Sequence, residues 1–70
     1  MTIDAKLTGA VLQSKRLSMG LSTKQLSEKM YVSRQTVYKW EGGFTLPRLD
    51  SLIMLSELYG CPIDDLIVRA

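Results

Sequence analysis

Gly20, Gly42-Gly43, Pro47, Gly60 and Pro62 cut this chain into short segments, and within each one the apolar residues recur at helical rather than alternating spacing. Few architectures accept such pieces. Asp4 caps a first helix running to about Met19, with Leu7, Ala10, Val11, Leu12 and Leu17 as its apolar members and Gly20 as its stop. Ser22-Thr23-Lys24-Gln25 matches the S-x-x-Q capping box, in which hydroxyl and amide each satisfy a free backbone N–H. That second helix reaches about Met30 and buries Leu26 and Met30, with small Ser27 allowing a close neighbour. Ser33 caps a third helix, Arg34 to Glu41, after a very short turn. Leu49, Leu52, Ile53, Leu55 and Leu58 mark a fourth, and Pro62 opens a short fifth containing Ile63, Leu66 and Ile67. No segment reads as a strand, so the expected fold is an all-α, five-helix domain.

The chain's 70 residues suffice for one such domain, 1–70. A domain of this size buries only about 60% of the surface its unfolded chain exposes, so caps and packing carry unusual weight. Enzyme chemistry has little raw material: histidine is absent, and the adjacent Asp64 and Asp65 point about 100° apart on a helix. They suit a first helical turn instead. The expectation is no catalytic residue, no metal and no cofactor. The lone Cys61 excludes an internal disulfide and fits a small buried residue in a reducing cytoplasm. No long apolar stretch follows Lys6 and no window suits a membrane span, so a leader and a membrane partner are not expected.

Charge is divided along the chain. Residues 1–48 carry eight Lys and Arg against Asp4, Glu28 and Glu41, which is 8 − 3 = +5. Residues 49–70 carry Arg69 against Asp50, Glu57, Asp64 and Asp65, which is 1 − 4 = −3. Such a division suits one face turned to a polyanion. The third helix says which face. With Arg34 at 0°, Tyr38 falls at about 40°, Gln35 at about 100° and Lys39 at about 140°, opposite Trp40 at about 240° and Val37 at about 300°. Arg pairs bidentately with guanine and Gln with adenine; Lys39 reaches a guanine or a phosphate, and Tyr38 offers a ring to a thymine methyl.

Several fragments in order strengthen this: Gly20-Leu21-Ser22, Gln25-Leu26, Val32-Ser33-Arg34-Gln35-Thr36-Val37, Lys39-Trp40-Glu41-x-Gly43, Leu46-Pro47 and Asp64-x-Leu66. Over roughly residues 7–68 the chain resembles the lambda-repressor/Cro type of helix-turn-helix regulators, the xenobiotic-response-element family of bacteria and phages. The resemblance implies a helix-turn-helix motif at about 22–42 that binds double-stranded operator DNA, its second helix in the major groove. It places base reading on Arg34, Gln35, Tyr38 and Lys39, and phosphate contacts on Thr23, Ser33, Thr36, Gly43, Phe44, Thr45 and Arg48. It also implies an ion pair between Arg16 and Glu41. The implied protein is a cytoplasmic, nucleoid-associated repressor. It acts as a homodimer on half-sites about 34–36 Å apart. The dimer contact falls in the fourth–fifth helix region, with Leu66, Ile67 and Val68 as candidates, and no small-molecule ligand is expected. The competing expectation is a protein-interaction module of the same fold, antitoxin-like or an antirepressor partner. Two departures stand out. Tyr31 occupies a turn position where many relatives have Gly, and Pro62 replaces the usual polar cap of the fifth helix.

Overall fold

The computed structural model describes residues 2–70. Its helices are α1 (Ala5–Ser18), α2 (Thr23–Met30), α3 (Arg34–Glu41) and α4 (Leu49–Tyr59), followed by a single 3-10 turn, Ile63–Asp65. The N-terminal caps are local chemistry made visible. Asp4 accepts from the Leu7 N–H at 2.9 Å, and Ser22 accepts from Gln25 N while the Gln25 amide oxygen accepts from Ser22 N. Ser33 accepts from Thr36 N at 3.1 Å. Each cap occupies a donor the first turn would otherwise leave unpaired. The α2–α3 turn is tight because Tyr31 adopts the left-handed conformation, φ 58°, which an L side chain adopts at a cost of about 1–2 kcal/mol.

The core joins Leu12, Leu26, Met30, Val37, Trp40, Leu55 and Leu66, with Leu21, Val32, Leu58, Tyr59 and Cys61 packed against it. Helix α3 lies against both α1 and α2, so the stripe of Val37 and Trp40 is buried from two sides. Helix α1 departs from the apolar stripe expected of it. Leu7 and Leu17 are exposed, and the buried face is Thr8, Gly9, Leu12 and Arg16. Polar residues can take those places because each has a partner: Thr8 Oγ1 accepts from the Val68 N–H at 2.9 Å, and Arg16 meets Glu41. Gly9 is there for space. A Cβ on it would lie 2.5 Å from the carbonyl oxygens of Trp40 and Glu41, so α1 and α3 touch backbone to backbone.

Two further expectations need correcting. In α4 only Leu55 is fully buried; Leu49 and Ile53 face outward, and Leu52 and Leu58 are half-buried. The fifth helix shrinks to one turn, with Leu66 just beyond it and fully buried. The chain after Leu66 extends instead, because its backbone is engaged elsewhere. Asp4 N donates to Val68 O at 2.8 Å, Ala70 N to Thr2 O at 3.0 Å, and Ile3 and Arg69 form an isolated antiparallel bridge. Those bonds tie the C-terminal segment across the start of α1 and leave none for another helical turn.

Candidate nucleic-acid interface

Helices α2 and α3 are joined by the short turn at residues 31–33. Arg34, Gln35, Tyr38 and Lys39 are all exposed on α3, while Val37 and Trp40 hold the helix down from behind. The exposed arc has two flanks. At one, Thr23 Oγ1, in the first residue of α2, donates to the Tyr38 hydroxyl at 3.3 Å. At the other, Thr36 lines a cavity of about 340 Å³ whose wall also includes Tyr31, Trp40, Arg48 and Met54. Ser33 and Thr36 also share a hydroxyl–hydroxyl bond of 3.0 Å.

The loop after α3 is less available than the resemblance implies. Gly43 N donates to Trp40 O, Phe44 N to Lys39 O at 2.9 Å, and Thr45 N to Lys39 O. Those N–H groups cap the end of α3. Gly43 is also wedged against α1: at φ 79°, a Cβ on it would meet Lys6 Cα at 2.7 Å. Of this stretch, the Thr45 side chain and the Arg48 guanidinium are the exposed polar groups. Arg48 lies 3.5 Å from Asp50, but both are so exposed that the pair is weak and readily exchanged.

Behind the surface, Arg16 anchors α3 to α1. Its Nε donates to Glu41 Oε2 at 2.8 Å and its Nη2 to Oε1 at 3.0 Å, while Nη1 donates to the Leu21 carbonyl at 2.9 Å. Both side chains are less than a tenth exposed. The hydrogen bonds to Glu41 raise the Arg16 pKa further, outweighing the opposing effect of burial. Nearby, the buried Tyr59 hydroxyl has no hydrogen-bond partner among the described residues. Burial, with the Glu41 charge adding to it, pushes its pKa up to about 12. Reading the sequence missed Thr8 and Gly9 as positioning groups. A glycine inside a helical segment, costly by about 1 kcal/mol, was the available signal for the first contact.

Among the described residues no cluster of His, Cys, Asp and Glu could hold a metal ion, and no helix is long and apolar enough to cross a membrane. A helix-turn-helix family model matches residues 12–66. The HTH-type transcriptional activator BcrR of Enterococcus faecalis is 39% identical over 56 residues, which are 80% of this chain and 28% of that protein. The chain thus spans little more than a quarter of that relative's length. The BldD DNA-binding domain of S. venezulae superposes with a TM-score of 0.78 at 30% identity, covering 91% of this chain and 96% of that one. The restriction-modification controller protein C.AhdI of Aeromonas hydrophila shares the fold, with a TM-score of 0.81 at 24% identity over 90% of this chain and 96% of the other.

Proposed function

The chain belongs to the helix-turn-helix family, and from that premise we propose that it is a sequence-specific double-stranded-DNA-binding transcriptional regulator whose α3 enters the major groove. The observation that carries the reading is the sorting of α3: Val37 and Trp40 buried, Arg34, Gln35 and Lys39 exposed on the opposite arc. Arg34 and Gln35, in the first turn, are the base readers, each discriminating by about 1–3 kcal/mol. Lys39 reaches a base or phosphate one turn later. Ser33, Thr36, Thr45 and Arg48 hold the sugar-phosphate backbone and set the register. Residues 1–70 act as one domain.

A single eight-residue helix offers few base contacts, so the reading includes a homodimer on a two-fold-symmetric operator. The domain's longest dimension is 32 Å, comparable to the roughly 34–36 Å between half-sites one DNA turn apart. Leu66 belongs to the core and drops out of the dimer contact, while the exposed Leu46, in the loop before α4, and Leu49 and Ile53, on α4, take its place. Bound to promoter DNA, the domain represses by occluding other proteins. The likeness to BcrR favours a second reading of the outcome, activation, with this domain supplying the address.

Selection from a random duplex library at low and moderate salt tests the proposal. The expected result is a two-fold-symmetric consensus with half-sites about 10–10.5 base pairs apart. A folded protein that enriches nothing would favour the protein-interaction module. A reporter placed behind the selected site then separates repression from activation.

A further inference from the structure

Tyr38 and Thr23 are linked across the motif, and the direction of their bond carries a consequence. The Thr23 hydroxyl donates to the phenol oxygen at 3.3 Å, so the phenol accepts and its own O–H remains available to donate outward. Tyr38 is more than half exposed, at 57%, so nothing encloses that donor. The bond also sets where it can act. It draws the end of the ring toward the start of α2, away from the middle of the α3 arc that Gln35 and Lys39 occupy at about 100° and 140°. The other flank carries Thr36, which lines a cavity that Arg48 also lines. On a helix laid in a groove, the middle of the exposed arc meets base edges and its flanks meet the groove walls, which are sugar and phosphate. Arg34 escapes this sorting because it is long and sits at the tip of the helix.

We infer that Tyr38 is a phosphate-contacting residue held in place by Thr23, rather than a base reader. Thr23 is then a positioning residue that acts through Tyr38. The pair pre-orders a side chain that would otherwise lose rotamer freedom on binding, and it grips one strand while Thr36 and Arg48 grip the other wall. The inference rests on the DNA-reading function proposed above.

The test measures binding of the selected operator and its single-base-pair variants by wild type, Tyr38→Phe, Thr23→Val, Thr23→Ser and the Tyr38→Phe/Thr23→Val double variant. Tyr38→Phe should weaken binding about 10-fold on every sequence alike, as expected for a lost hydrogen bond to a charged group. The salt slope should not change, because the hydroxyl is neutral. Thr23→Val should weaken binding by about 3-fold in the wild type, add less than about 2-fold in the Tyr38→Phe background, and be rescued by Thr23→Ser. A change of base preference at one position with Tyr38→Phe, unchanged affinity, or multiplicative losses in the double variant would each overturn the inference while leaving the DNA reading intact. A wild type that binds no duplex overturns both. Melting temperatures within a few degrees of wild type establish that the exposed substitutions left the fold alone.

Discussion

Gly9→Ala isolates the contact that brings α3 into place. A Cβ at residue 9 would sit 2.5 Å from two carbonyl oxygens and 2.8 Å from Glu41 C, where ordinary contact begins at 3.4 Å. The Trp40 carbonyl is held by the Gly43 N–H, so α1 and α3 must part by about 1 Å, stretching the Arg16–Glu41 pair alongside. Overpacking of this kind costs about 1–3 kcal/mol, and rigid backbone on the far side places this case at the upper end. Alanine's helix propensity returns about 1 kcal/mol. The net loss is about 2 kcal/mol, which for a domain this small lowers Tm by about 8–16 °C. Thermal and urea unfolding followed by circular dichroism measure it. Ala10→Gly, at the exposed neighbouring position, calibrates the propensity effect alone. A Gly9→Ala protein as stable as wild type, or more stable, would refute the close-crossing argument.

Glu41→Ala leaves the Arg16 guanidinium buried with only the Leu21 carbonyl, and should cost about 3–5 kcal/mol in urea unfolding; a loss within surface-mutation scatter would show the pair is not buried in solution. Tyr59→Phe removes an unpartnered buried hydroxyl and should raise stability by about 1 kcal/mol near neutral pH. The same residue sets an alkaline limit. Its phenol pKa rises from 10.0 to about 12 in the folded protein, so above pH 10 the unfolded chain loses the proton first. Stability therefore falls from pH 10 toward 12, by at most about 2–3 kcal/mol, and Tyr59→Phe abolishes that component of the slope. Tyr31→Gly relieves the left-handed turn while losing an exposed ring, and should raise stability by up to about 1 kcal/mol; clear unfolding would mean that the ring supports the core. Arg48→Ala should weaken binding to all sequences alike and reduce the salt slope by about 1.

What could be read from the sequence follows from how local each cause is. Caps act over three residues, so Asp4, Ser22 and Ser33 announced the helix starts that the structure has. The two faces of α3 follow from period alone. Helical period picks out Leu12 on α1 but not Thr8, whose partner Val68 lies 60 residues away; the Arg16–Glu41 contact, 25 residues apart, comes from the family resemblance rather than from period. The truncated fifth helix has a similar origin: its backbone bonds go to residues at the opposite end of the chain. In the candidate site, the exposed side chains of α3 were legible. The use of the Gly43–Thr45 N–H groups to cap α3 was not, because it depends on how the loop folds back. Nor could helical period show that Tyr38 reaches Thr23, a contact between two helices.

The most direct test of the central claim, that α3 reads base sequence, is the affinity of wild type and Arg34→Ala for the selected operator and each of its single-base-pair variants. The account predicts that wild type discriminates at the position Arg34 meets by about 1–3 kcal/mol, and that Arg34→Ala loses this discrimination there while keeping it elsewhere. An Arg34→Ala protein whose base preferences match wild type at every position would contradict it.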